Sequence, residues 1–328
     1  MGIIEKVVAF TLVAVSSASV AFVVYRKNRA AKRKLPCAPE WKQIGTVGEI
    51  SLYPLRSAAA LVVEEAKCTE YGLQLNGVRD RFMVLQNQHG QLIYSGTFPA
   101  MRSITTEINH SDIIVIRAPG KKPLTLNVNS VRKGKPTIAK KCKGFAMQLI
   151  ECDVEHHKWF SDVLLQRTDG LKLYICMTPK LMSNIFGEDK SEFNPIMVIN
   201  NKSIDDLNKR LSNSEIVHHL QFRGNLLLNC NDDTEAYDED NWVWLKIGDN
   251  NENVCILSYR APCLRCISPN INIHTCKRSR NFEPLKTLRS YRLIHNSREP
   301  TMGAYYNVYQ QGKIHINDPV YAIVSTNN

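Results

Sequence analysis

Ala261-Pro262-Cys263-Leu264-Arg265-Cys266-Ile267 lies between a strand-like run, Val254–Tyr259, and a stretch that turns, so a thiolate here would project from a rigid element. Three readings of the cysteine pair compete on the residues alone. Zinc would take Cys263 and Cys266 with His274 and Cys276 nearby, yet no second Cys-x-x-Cys knuckle stands in the chain to complete a tetrahedral set. A redox dithiol belongs in a thioredoxin-like βαβ setting, which the flanking sequence does not announce. Two buried structural thiols are the third reading. The remaining cysteines of the ten show no spacing framework, and in a reducing compartment they are thiols or ligands rather than bridges.

The compartment follows from the N-terminus. Val7–Val24 is 18 residues without a charge, about 27 Å of helix at roughly 1.5 Å per residue, and Arg26, Lys27, Arg29, Lys32, Arg33 and Lys34 follow at once. Cleavable signal peptides carry their positive charge before the apolar run, whereas here Glu5 and Lys6 nearly cancel in front of it. The expectation is a transmembrane signal anchor with its basic flank over residues 1–36 and the bulk of the chain in the cytosol. Myristoylation is excluded, since Lys6 stands where Ser or Thr is wanted. Thr11, Ser16, Ser17 and Ser19 make the span only moderately apolar, which resembles anchors of the mitochondrial outer membrane, with the endoplasmic reticulum as the alternative. Of the net charge of +11, the first 36 residues hold a surplus of six. At 328 residues, 44% hydrophobic and 22% charged, the chain suits two globular domains, and disorder and collagen are excluded.

Leu35-Pro36-Cys37-Ala38-Pro39 breaks any helix, and a folded region starts near Gln43. Strands are expected at Ile50–Leu55, Leu61–Lys67, Phe82–Gln86, Gln91–Tyr94, Ser103–Ile108 and Ile113–Arg117, the last four as two hairpins. A helix over Asp153–Leu165, with Val154, Trp159, Val163 and Leu164 on its apolar face and Asp153 as cap, is read as closing this first unit. The second unit mixes strands at Ile196–Ile199, Leu226–Leu228, Trp244–Ile247, Val254–Tyr259 and Val320–Val324 with two helices. One is Ile204–Leu211, capped by Ser203; the other starts near Pro284 and runs through Leu285, Leu288 and Tyr291. Both units read as α+β.

Several ordered segments decide between the readings of the cysteines. Tyr53-Pro54-Leu55-Arg56-Ser57, Arg79-Asp80-Arg81-Phe82, Gln221-Phe222-Arg223-Gly224-Asn225, Glu239-Asp240-Asn241-Trp242, Arg265-Cys266-Ile267, Glu283-Pro284-Leu285 through Arg292, and Asn317-Asp318-Pro319-Val320-Tyr321 resemble, in this order, the mitochondrial amidoxime-reducing component family of MOSC-domain proteins. The resemblance implies an N-terminal β-rich MOSC-N domain over 44–167 and a mixed β-barrel MOSC domain over 188–326, with the site in the cleft between them. It further implies a molybdenum cofactor whose metal Cys266 ligates as thiolate, a soft donor suited to that metal. Arg56, Ser57, Arg81, Arg223, Asn225 and Tyr305 fall at the family's cofactor-contacting positions. The implied reaction is reduction of amidoximes, hydroxylamines and N-oxides, with electrons from NADH through cytochrome b5 reductase and cytochrome b5.

The chain departs from the pattern in three places. Tyr94-Ser95-Gly96-Thr97 stands where the family has Thr-Ala-Arg-Gln, Glu192-Phe193-Asn194-Pro195 where it has Asp-Thr-Ser-Pro, and Leu264 where a serine separates the two cysteines. Phe193 donates no hydrogen bond. Two alternatives therefore stay open: a paralogue that keeps the fold as a scaffold without catalysis, and a sulfur-carrier role like that of molybdenum-cofactor sulfurases. The strip Gly120–Lys143 adds Lys121, Lys122, Arg132, Lys133, Lys135, Lys140, Lys141 and Lys143 with no acid. Without interleaved aromatics it does not point to nucleic acid, and it is read as a solvated loop or as a docking patch for an acidic electron carrier or anionic lipid.

Overall fold

The computed structural model describes residues 34–325 apart from 111, 143–144, 178–194, 213–214, 250–252 and 295–296. The expected anchor at Val7–Val24 lies outside these residues. Among the described residues no helix is long and apolar enough to cross a membrane.

The first half of the chain holds β1 (Lys42–Leu52), β2 (Leu61–Val63), β3 (Glu65–Thr69), β4 (Gly72–Leu75), β5 (Val78–Arg79), β6 (Met83–Asn87), β7 (Thr105–His110), β8 (Ile113–Arg117) and β9 (Leu124–Asn127). Then come α1 (Val128–Arg132), β10 (Thr137–Cys142), β11 (Phe145–Glu151), α2 (Val154–Leu165) and β12 (Leu171–Cys176). The second half adds β13 (Ile196–Asn200), α3 (Asn201–Arg210), β14 (Leu226–Cys230), β15 (Trp242–Ile247), β16 (Cys255–Leu264), α4 (Leu285–Tyr291), β17 (Thr301–Gln310), β18 (Gly312–His315) and β19 (Pro319–Val324).

Seven strands close a barrel in the order β14, β13, β17, β16, β15, β19, β1, with β1 returning to β14. The closing strand comes from the other end of the chain. β1 can serve two neighbours because it is long and bulged: it pairs Lys42–Thr46 with β19 and Gly45–Ile50 with β14, with register shifts at Gln43/Gly45 and Val47/Glu49. Gly45 is required at the crossing, since a Cβ there would stand 2.1 Å from the Asn229 carbonyl oxygen. Inside the barrel Val47, Ile50, Leu52, Leu245, Leu257 and Tyr306 are fully buried, each apolar side chain of this size stabilising by about 1.5–3 kcal/mol. Three smaller sheets surround it: β10-β11-β12-β6, β18-β3-β4-β5 and β7-β8-β9. Two of them mix distant parts of the sequence, because β12 returns after α2 to pair with β6 and β18 pairs with β3.

The expected elements mostly exist, with shifts that have physical causes. The strand expected at Ile50–Leu55 begins earlier and stops at Leu52, where Tyr53-Pro54 leaves the ladder. Gln91–Tyr94 forms no strand, only a single bridge from Leu92 to Gln86. Helix α2 lies where expected, and Trp159, Val163 and Leu164 pack on the core as expected, but Val154 is 62% exposed and His156, His157, Phe160 and Ser161 are the most buried residues of the helix. Polar side chains are buried there because each finds a partner, His157 Nδ1 accepting from Leu173 N at 3.0 Å and Ser161 Oγ from Leu171 N at 3.0 Å. Asp153 is the N-cap residue yet makes no side-chain cap bond. Helix α3 starts earlier than its Ser203 signal, with Asn200 as the cap, its side chain accepting from Lys202 N. Strand β17 carries no alternation to announce it, since Met302, Gly303 and Ala304 are buried in succession.

Ser203 instead turns inward, its hydroxyl donating to Glu239 Oε2 at 2.8 Å in the short 3-10 turn Asp238–Asp240 that precedes β15. Burial, with Asp240 alongside, pushes the Glu239 carboxyl up to about 7, and its Oε1 is buried with no partner, as suits a held proton. The folded value lies above the ordinary 4.5, so this group's contribution is fully present in acid, declines as pH rises toward 7 and stays lost above it. At about 1.4 kcal/mol per unit the decline is on the order of 3 kcal/mol. Melting temperatures at pH 5 and pH 8 should therefore fall further in the wild type than in Glu239→Gln. An equal fall in both proteins would place the titration elsewhere.

Candidate active site around Cys266

An extended backbone sends side chains to alternate faces, so two cysteines three residues apart point opposite ways. At the end of β16 this separates the pair. Cys263 is 1% exposed and Arg265 5%, both inward, while Leu264 is 49% exposed and Cys266 opens to the surface. Arg265 N donates to Pro300 O at 2.9 Å, and the turn Ser268–Asn270 with Pro269 ends the segment. The geometry removes the paired-thiol readings, since a zinc knuckle or a dithiol needs both sulfurs on one side. Among the described residues no group of three or more His, Cys, Asp or Glu side chains gathers to hold a metal ion.

Cys263 is a structural thiol. Arg265 Nη1 donates to its Sγ at 2.8 Å and Nη2 to Phe222 O at 2.5 Å. Tyr305, on β17, also bonds to Cys263; the sulfur beside it and then burial push the phenol well above its ordinary value. Tyr305 thus stands on the inward side, next to Cys263.

Behind Cys266 lies a concentration of positive charge. Arg223 stacks 4.0 Å and Arg81 5.9 Å from the centre of the Tyr53 ring, and burial pushes the Tyr53 phenol up to about 12. Arg102, 4% exposed, reaches the carbonyls of Leu220, Gln221 and Ser268. Burial lowers its pKa, and Arg265 adds to the lowering, while Tyr53 and Cys266 oppose it. Arg223 is lowered further, by burial and then by Arg102. Arg81 and Arg223 lie beside one buried carboxylate, Asp80, which accepts from Tyr53 N at 2.7 Å, from Asn225 Nδ2 at 3.1 Å and from Arg81 Nη1. Arg223 Nη2, Arg102 Nε and Arg265 Nε are buried without a hydrogen-bond partner. Ser57, Arg81 and Arg223 hold left-handed backbones at φ 71, 54 and 59°, strain of about 1–3 kcal/mol apiece of the kind that collects at binding sites.

Residues 44–167 match the MOSC N-terminal beta barrel domain and residues 185–321 the MOSC domain. The chain is 31% identical to mitochondrial amidoxime reducing component 2 of Bos taurus over 92% of its length and 88% of that protein's. It is 30% identical to mitochondrial amidoxime-reducing component 1 of Mus musculus, over 97% and 91%, and 29% to component 1 of Homo sapiens, over 86% and 84%. The chain belongs to the mitochondrial amidoxime-reducing component family. At family level this makes it an oxidoreductase related to molybdenum-cofactor reductases.

The lining fits the anionic cofactor which that family implies. Orphaned guanidinium N–H groups suit a phosphate, and the exposed sulfur of Cys266 suits a soft metal. Arg81 and Arg223 meet at the Tyr53 ring from the two halves of the chain, Arg81 also lies near Tyr305 and Cys263 on the inward side, and Arg102 lies near Cys266. Arg56 lies at the edge, 5.5 Å over the Tyr94 ring, and Ser57 is buried beside it in sequence. Asn225 does something different: Oδ1 accepts from Met197 N and Nδ2 gives to Ser51 O and Asp80 Oδ2, all at 3.1 Å, so both amide protons stay within the protein. Glu192, Phe193 and Asn194 lie outside the described residues. Arg102 escaped the sequence reading; its signal was an arginine set in the apolar Phe98-Pro99-Ala100-Met101 run.

Removing the shared carboxylate should leave buried cations uncompensated. Asp80→Ala is expected to lose about 3–5 kcal/mol in urea unfolding, and Asp80→Asn less, since its amide oxygen still accepts from Tyr53 N. A loss under about 1 kcal/mol for the alanine variant would show that the cluster does not depend on this charge.

Proposed function

We propose that the chain reduces N-hydroxylated compounds (amidoximes, hydroxylamines and N-oxides) with a molybdenum cofactor held by Cys266. The observation that carries this reading is the exposed Cys266 thiol at the barrel rim in front of buried guanidinium groups with unused N–H donors. Arg81 and Arg223 would hold the cofactor's phosphate, Arg56 and Ser57 would flank it, and the Arg102 cation would favour the thiolate form of Cys266. Arg265 and Tyr305, through Cys263, keep the inward face of the same segment fixed, so the outward sulfur is presented in one direction. The bound cofactor would supply two-electron removal of oxygen: an N–OH group, two electrons and two protons become N–H and water.

Electrons would come from NADH through cytochrome b5 reductase and cytochrome b5. The protein would sit on the mitochondrial outer membrane by its N-terminal anchor with the catalytic region in the cytosol. The amidoxime and the mitochondrion are those in the names of the relatives. The basic strip is a weaker docking surface than its sequence promises, because Lys121 pairs with Asp162 at 2.6 Å and Arg132 lies 5.8 Å over the Phe82 ring. Lys133 and Lys135 are exposed; the side chains of Lys140, Lys141 and Lys143 lie outside those described.

Purified protein should carry one molybdenum per chain. Cys266→Ser should abolish benzamidoxime reduction while leaving the melting temperature within a few degrees, whereas Cys263→Ser should keep most activity, since serine still accepts from Arg265. Zinc in place of molybdenum, or equal loss of activity in both variants, would refute this role for Cys266. A chain lacking Met1–Lys34 should be soluble and equally active with a small chemical reductant; activity lost on truncation would mean the N-terminus contributes to the site.

A further inference from the structure

Gly96 stands in a fixed turn, with Thr97 N and Phe98 N donating to Tyr94 O at 3.0 and 2.9 Å. This turn lies against the Cys266 segment: a Cβ on Gly96 would be 3.1 Å from Ile267 Cγ2, and Ser95 Oγ lies 3.4 Å from Ser268 Oγ. Gly96 therefore lets the turn pack closely on Ile267, the residue next to the Cys266 thiol, where a side chain would be crowded. The sequence pattern of the family puts an arginine there. In this chain a different arginine arrives, since Arg278 Nη2 donates to the Gly96 carbonyl.

Arg278 is held by more than that bond. Its backbone bridges to the fully buried Ile271, Ser279 N donates to Asn270 O at 2.7 Å, and Asn272 N to Lys277 O at 3.0 Å. Asn272 Oδ1 in turn accepts from His274 N and Thr275 N at 2.9 Å. The loop is thus tied to the turn Ser268–Asn270 that follows Cys266, and the guanidinium is placed by the same short segment as the thiol. Arg278 is exposed, and among the described residues no carboxylate pairs with it. Leu264 and Ile267, 49% and 38% exposed, give the mouth apolar walls.

We propose that Arg278 is the substrate-selecting residue of this site, binding the carboxylate of N-hydroxylated compounds that carry one at the end remote from the N–OH group. This rests on the reductase reading above. One guanidinium with free N–H groups, fixed at the edge of an apolar mouth, matches a flat or aliphatic body ending in a carboxylate, which arginine takes in a two-point contact. Lys277 and Arg280 add positive charge nearby, but neither is recorded on the Gly96 turn, so they attract without orienting.

The test compares benzamidoxime with 4-carboxybenzamidoxime on the molybdenum-loaded enzyme and, separately, by calorimetric binding to the protein. Arg278→Gln should raise KM for the carboxylate compound on the order of tenfold with kcat little changed, leave benzamidoxime within twofold, and weaken binding of the carboxylate compound alone by a similar factor. Lys277→Gln, the same charge removed one residue away, should change neither compound by more than about twofold. Equal effects of Arg278→Gln on both compounds, or equal effects of the two variants, would overturn the assignment. If the wild type reduces neither compound, the reductase reading fails, and the binding comparison still decides whether Arg278 selects the carboxylate.

Discussion

Asp80 is a buried carboxylate beside the Arg81 and Arg223 guanidinium groups, and both the barrel and the site lean on it. Its two oxygens take the Tyr53 amide, the Asn225 amide and the Arg81 guanidinium. Those partners come from the end of β1, the start of β14 and the turn after β5, so one charge joins the closing strand to the body of the barrel. Without it Arg81, Arg102 and Arg223 would repel one another in a place where water cannot screen them. With it they remain short of negative charge, and the proposed anion site rests on that deficit.

The local backbone pays for the same arrangement. Arg81, Arg223 and Ser57 lie in the left-handed region, which lets side chains adjacent to structural turns aim at one point. Strand alternation does the complementary work on Cys263 and Cys266. A spacing of three residues separates an inward sulfur, fixed by Arg265 and Tyr305, from an outward one at the surface. The same alternation makes Leu264 part of the mouth rather than of the core, and the departure from serine at this position therefore changes the wall that a substrate meets.

The two halves of the chain are not separate bodies in their hydrogen bonding. β1 closes a barrel built otherwise from the second half, β18 extends a sheet of the first, and Arg102 spans from one to the carbonyls of the other. A site between such elements inherits rigidity from both. Arg81 and Arg223, far apart in sequence, meet at the Tyr53 ring for this reason.

Motif order, the hairpin of β7 and β8, the positions of α2, α3 and α4, and the exposed Cys266 at the end of a strand were legible in the sequence, because each rests on local spacing or on a short run of residue types. The course of β17 was not, since its buried run Met302-Gly303-Ala304 has no alternation, and neither was the inward face of α2, where His157 and Ser161 are buried only because β12 offers them amides. Sequence by itself determined the residue types that can bind an anion and a soft metal, and their order along the chain. Only the tertiary structure decided that Asn225 spends its amide protons on the protein, that Arg102 joins the cluster, and that Arg278 reaches the Gly96 turn. Each of these depends on which distant backbone groups stand within about 3 Å, a distance set by long-range strand pairing rather than by neighbours in sequence.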